Sequence, residues 1–125
     1  MARCRRTHQR LPGFLEYGRE EMLTGYNMTM LFMVIEHYTH GPEPVYQRAA
    51  GRGRMLPDGL RYVDSWIVDD GRLERCFQLM ETSDPELLDV WRKRWADLCD
   101  FEIFPVIKSD EAARRTGVGL DAPGQ

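Results

Sequence analysis

The sequence predicts an α+β domain with the element order β-α-β-β-α-β, a four-stranded antiparallel sheet with two helices on one face. Three observations carry this. An unbroken apolar run, Met30 to Ile35, reads as an inner strand. Two strand-like segments meet at Asp69-Asp70-Gly71, a hairpin signal. Asp84-Pro85-Glu86 then opens a helix with a one-sided apolar stripe.

The first strand runs from Met30 to Tyr38 and closes on Glu36-His37-Tyr38. Alternation is lost when neither face of a strand is wet, so this run suits a central strand buried on both sides. Gly41-Pro42-Glu43-Pro44 ends it and starts a helix, since the first N–H groups of a helix have no partner for proline to remove. Val45, Tyr46, Ala49 and Ala50 give that helix a short stripe, weakened by Gly51 and Gly53. Pro57-Asp58-Gly59 is a turn: proline presets the backbone and glycine accepts positive φ.

Leu60 to Val68 alternates as a strand, and Leu73 to Glu81 returns beside it. With Asp70-Gly71 as a two-residue loop, Trp66 faces Arg75 and Asp64 faces Phe77. Tyr62, Asp64, Trp66, Arg75, Phe77 and Leu79 then share one face, while Val63, Ser65, Ile67, Glu74, Cys76, Gln78 and Met80 share the other. A slip of one residue would exchange the two sets.

In the second helix, Leu87, Leu88, Trp91, Trp95, Leu98 and Cys99 fall in an arc of about 120°. Asp89, Arg92 and Lys93 lie away from it, with Asp89 and Lys93 a favourable i,i+4 pair. Such a stripe needs a sheet beneath it. Phe101 to Ile107 is the last strand, and Pro105 inside it assigns it to a sheet edge, because proline cannot donate to a ladder. Ser109-Asp110-Glu111 starts one short helical turn.

This order is the split βαβ, or ferredoxin-like, arrangement, with the first and third strands central. Two helices cover one sheet face only. The other still carries bulky residues, and a second copy of the chain is its simplest cover. The expected assembly is a homodimer with sheets face to face. Residues 1–29 read as a poorly structured N-terminal extension, with a docked helix from Phe14 to Leu23 as the rival. Residues 30–112 read as the ferredoxin-like domain and 113–125 as a flexible C-terminal tail.

Composition sets the outer bounds. The chain has 125 residues, 42% hydrophobic and 30% charged, which fits one ordinary globular domain. Its longest apolar run is far below the ~20 residues of a membrane helix, so no membrane partner is expected. The net charge of −3 divides into +2 for residues 1–29 and −5 for the rest. A body of that sign repels phosphate, and nucleic acid is not its partner. Cys4, Cys76 and Cys99 are odd in number and lack C-x-x-C spacing, which argues against a disulfide framework or a cysteine-built zinc site. With no apolar secretory segment at the start, a reducing cytoplasm is the expected location.

Several stretches together resemble a family of small bacterial proteins of unknown function within the dimeric α+β barrel superfamily. They are Met30 to Glu36, Gly53-Arg54-Met55-Leu56-Pro57, Leu60 to Trp66, and Cys76-Phe77-Gln78-Leu79-Met80-Glu81. The resemblance spans about residues 30–112 and implies a homodimer with a cleft between sheet and helices. It brings no established catalytic residues. Its members begin near Met30, which puts the first 29 residues in question as native sequence. The wider superfamily includes cofactor-free monooxygenases, haem-degrading enzymes and stress-response proteins, and kinship of fold does not choose among them.

His37 and His40 form H-x-x-H at the end of the first strand, with Glu36 and Glu81 available to orient an imidazole, but no third ligand stands at metal spacing. No metal and no cofactor is expected. Dinucleotide, phosphate-loop, nucleophile-elbow and H-E-x-x-H motifs do not occur. The hairpin is the better constellation: Asp64, Trp66 and Arg75 on one face, or Ser65, Cys76 and Gln78 on the other. Either set could line a pocket with an apolar wall and a few polar groups. The ligand candidates are His37, Tyr62, Asp64, Trp66, Arg75 and Gln78, with His37 and Asp64 as catalytic candidates. The plainer alternative is an Asp64–Arg75 ion pair across the strands, with Trp66 as packing. The reading that follows is a homodimer binding a small, partly apolar organic molecule. The competing one is a cofactor-independent monooxygenase acting on an aromatic or quinol substrate.

Overall fold

The computed structural model describes residues 28–118. The expected extension up to residue 27, the rival helix over Phe14 to Leu23 and the tail from residue 119 lie outside the described residues. Four strands form one antiparallel sheet in the order β2-β3-β1-β4: β1 Met30–Tyr38, β2 Leu60–Ile67, β3 Arg75–Thr82 and β4 Cys99–Val106. Among the described residues three helices accompany them, α1 Pro42–Arg52, α2 Glu86–Lys93 and α3 Ser109–Thr116. This is an α+β architecture. Beyond the single turn expected after Ser109, α3 runs to Thr116, so the chain stays helical past residue 112.

The pleat of β1 sorts the molecule into two sides. Met30, Phe32, Val34, Glu36 and Tyr38 are buried, while Leu31, Met33, Ile35 and His37 are half-buried. The buried set packs with Val45 of α1, Leu88 and Trp91 of α2, and Cys76, Met80 and Phe101 of the neighbouring strands. Both helices therefore lie on the even-numbered side of β1. Among the described residues, the run that reads as covered on both faces is covered on one; it lost its alternation because both sides are apolar.

Two local devices set β2 differently from the sequence reading. The hairpin does not turn on two residues. Val68 N–H donates to the Arg75 carbonyl at 2.9 Å, and Asp70 Oδ1 accepts the Arg72 and Leu73 N–H groups at 3.0 and 3.3 Å. The Asp70 side chain thus caps a wider loop, with Gly71 at φ 84° and Leu73 at φ 57°. Register slips by two, so Trp66 faces Phe77 and Asp64 faces Leu79, which moves Asp64 away from Arg75. A β-bulge between Tyr62 and Asp64 then turns Tyr62 to the helix side, opposite Met80.

The second helix starts where Asp84 directs it, with Asp84 Oδ1 accepting the Glu86 N–H at 3.1 Å. It is shorter than its stripe suggests. After Lys93 the backbone continues through three-residue turn bonds (Arg94 N–H to Trp91, Trp95 N–H to Arg92), and Cys99 begins β4. Trp95 and Cys99 still join the core. Arg92, placed on the wet face by periodicity, is buried and paired with Asp89 at 2.8 Å. Asp89 also lies 3.5 Å from Lys93.

Candidate functional site

A cavity of about 330 Å³ lies between the sheet and the two covering helices. Strand pairing brings Glu36 of β1 beside Cys76 of β3, with Gln78 and Ser65 next along the same face. Tyr46 and Ala49 of α1 and the indoles of Trp91 and Trp95 line the helix side. The wall is thus mostly apolar and aromatic, with polar groups converging from the sheet, the composition expected of a small-molecule site.

Those polar groups form one chain. Gln78 Nε2 donates to Glu36 Oε2 at 3.1 Å, and the Arg54 guanidinium donates to Gln78 Oε1 at 3.0 Å. The Arg54 head lies 3.5 Å above the Tyr62 ring, and the Tyr62 hydroxyl bonds Ser65 Oγ at 2.8 Å. Both indoles hold the Arg54 backbone: Trp91 Nε1 and Trp95 Nε1 donate to its carbonyl at 3.0 Å each. The two tryptophans, packing residues by their stripe, therefore also fix the loop that supplies the cation. Arg48 fastens α1 to the segment after α2 through a two-pronged pair with Asp97 at 2.9 and 2.6 Å.

Glu36 is the electrostatic centre. Burial pushes its carboxyl up to about 7, although the Cys76 thiol, the Tyr38 hydroxyl, the Arg54 charge and the Gln78 amide all pull it down. Burial also drives the Cys76 thiol up to about 12, with the Glu36 charge adding to it, and raises Cys99 and Tyr38 for the same leading reason. Neither thiol is a thiolate at neutral pH, so neither is an activated nucleophile. Glu36 is the cavity group that exchanges a proton near neutrality, the property of functional acids and bases.

The sheet divides the residues singled out from sequence. Gln78 and Tyr62 are on the helix side and belong to the polar chain; alternation alone puts Tyr62 on the other face, and the bulge brings it across. His37, Asp64, Trp66 and Arg75 are on the open side, across the sheet from the cavity. Asp64 is exposed and its Oδ1 accepts the Ser65 N–H at 2.8 Å. Arg75 instead packs its guanidinium 5.2 Å from the Phe77 ring. His37 Nε2 lies 3.8 Å from Glu74, and His37 borders a separate polar hollow of about 310 Å³ with Arg75, Asp100 and Glu102. Among the described residues, no group of three or more His, Cys, Asp or Glu side chains is placed to hold a metal ion.

Sequence reasoning missed Glu36 and Arg54 as site residues. A signal for Glu36 existed: a carboxylate within an otherwise apolar inner strand must be buried or at an edge. A wider groove of about 590 Å³ runs between the start of β1, the end of β4 and α3. Among its charges, Arg114 pairs with Asp110 and Glu111, and Arg115 with Glu111. The sheet–helix cavity, with its buried carboxyl, is the stronger candidate.

One sheet, two helices over one face and a partly polar cavity between them define a small α+β protein with a candidate ligand site. Residues 30–117 match the domain of unknown function DUF3303, and the chain belongs to that family. No curated protein and no solved structure matches the chain. No helix among the described residues is long and apolar enough to cross a membrane.

Proposed function

We propose that the chain is a ferredoxin-like α+β barrel protein that pairs with a second copy and binds a small, partly apolar organic molecule in the cavity between sheet and helices. The single observation behind the binding reading is that cavity: about 330 Å³, aromatic on one wall, with a buried and hydrogen-bonded carboxyl on the other. The order β2-β3-β1-β4 and the helix placement support the ferredoxin-like reading for residues 30–112. The half-buried row Leu31, Met33, Ile35, Phe77 and Leu79 on the open face supports the homodimer. Two buried free thiols, Cys76 and Cys99, favour a reducing compartment such as the cytoplasm.

Thermal denaturation against a panel of small amphipathic molecules tests the binding reading. A ligand at a hundredfold excess over its Kd stabilises the folded state by about 2.7 kcal/mol, read as a rise in Tm of several degrees. Ala49→Trp, which fills the cavity from α1, should abolish that rise while the variant stays folded. Stabilisation that survives Ala49→Trp would locate the ligand elsewhere.

A second reading, the cofactor-independent monooxygenase, is favoured by the proton-exchanging Glu36 on the cavity wall. It transfers the acid–base role from His37 and Asp64, which lie across the sheet, to Glu36. Dioxygen uptake with a hydroquinone, abolished in Glu36→Gln, would support it. Absence of uptake would leave the binding reading in place.

A further inference from the structure

We propose that the cavity selects a neutral hydroxyl-bearing molecule, whose O–H donates to Glu36 while its apolar part lies against Tyr46, Trp91 and Trp95. The proposal rests on the cavity being a ligand site and adds the chemistry of what enters it.

A carboxylate offers about four acceptor positions. Among the described residues, Gln78 Nε2 donates to Glu36 Oε2 at 3.1 Å, and the Cys76 thiol and the Tyr38 hydroxyl also act on its carboxyl. Those neighbours use at most three positions, so acceptor capacity remains on a residue that lines the cavity. A hydrogen-bond donor on the ligand satisfies it, and in a buried setting such a bond to an ionised acceptor is stronger than a neutral one.

Charge then separates the two common donors, ammonium and hydroxyl. Arg54 lines the same cavity and reaches Glu36 through Gln78, so the carboxylate already has a cation joined to it. A second cation would enter beside a guanidinium stacked on the Tyr62 ring, on a residue whose backbone carbonyl the two indoles hold. A neutral hydroxyl meets no such repulsion. A carboxylate ligand would face Glu36 itself and is disfavoured by like charge.

The pH dependence follows from the groups around Glu36. Tyr38 on β1, Tyr46 on α1, Arg54 after α1, Cys76 on β3 and Cys99 on β4 are the titratable groups that interact with it. Tyr38, Tyr46, Cys76 and Cys99 are all shifted upward, mainly by burial, and stay protonated near neutrality. Glu36 is therefore the group that titrates there, and the hydroxyl preference should strengthen as it ionises.

The test is a series of equal shape on the full chain: phenethyl alcohol, ethylbenzene, phenethylamine and phenylacetate, titrated by calorimetry from pH 6 to 8 at fixed salt. The expected order puts the alcohol about tenfold tighter than ethylbenzene, as one bond to a charged acceptor requires, with that advantage growing as pH rises. In Glu36→Gln the dependence on pH should vanish. Equal affinity of alcohol and hydrocarbon across the range in the wild type would overturn the hydroxyl assignment while leaving the cavity a ligand site. This comparison needs no variant to fold. Tightest binding of the amine would overturn it in favour of a cation site. If no member of the series binds, and none of the wider panel stabilises the chain, the cavity reading fails and this proposal fails with it.

Discussion

Glu36 occupies the helix side of β1 with a proton affinity higher than an unfolded carboxyl would have, so its titration is linked to folding. A group with a raised folded-state value contributes stability that is complete below its unfolded value near 4.5. That contribution declines as pH rises and is gone above about 7. Over that interval the change is on the order of 3 kcal/mol. The urea midpoint of the wild type should fall between these limits relative to Glu36→Gln, which keeps the shape but cannot ionise. Parallel curves for the two proteins would refute the linkage. Nothing at the level of composition marks Glu36; its position among Val34, Ile35 and Tyr38 does, since a charge inside an apolar strand must be paired, neutralised or functional.

At the level of elements, the turn before β2 and the start of α2 are the places where one residue decides geometry. Gly59 has φ +96°, and a Cβ there would stand 2.8 Å from Leu87 Cδ1 on the segment that packs over it. Gly59→Ala should cost about 1–3 kcal/mol from backbone strain. Calorimetry would check it, and an unchanged Tm would show that the turn relaxes freely. Asp84→Ala removes the acceptor for the Glu86 N–H and should cost about 1 kcal/mol; urea denaturation measures that directly. The strand and helix identities of these segments were legible from alternation and from the Asp-Pro start. The hairpin register was not, because Asp70 could serve either as a turn residue or as a side-chain cap, and only the finished loop distinguishes the two.

At the scale of the whole fold, the governing feature among the described residues is a sheet with α1 and α2 packed on one side. The open side carries Leu31, Met33, Ile35, Phe77 and Leu79 half-buried, with Trp66 about half exposed. Apolar area of this kind favours a matching surface, and a twofold pairing of identical faces is self-complementary. Light scattering at micromolar concentration should report twice the chain mass of 14.6 kDa. Met33→Lys, at the middle of the open side of β1, should reduce it to one chain. A wild-type mass of one chain would overturn the dimer.

The sequence by itself determined the element order, the inner character of β1, the capped start of α2 and the absence of the familiar catalytic motifs. These depend on local rules: period, turn chemistry and capping act over a few residues. Tertiary structure alone decided which face each hairpin residue occupies, since one bulge at Val63 reverses Tyr62 relative to Asp64. It also decided that Glu36, Gln78 and Arg54 meet. Those three come from two strands and a loop, and their contact is created by strand pairing across 42 residues of chain and by indoles that pin the loop from the far side. Local preferences carry no record of such distant neighbours, because pairing is settled by the fit of whole surfaces.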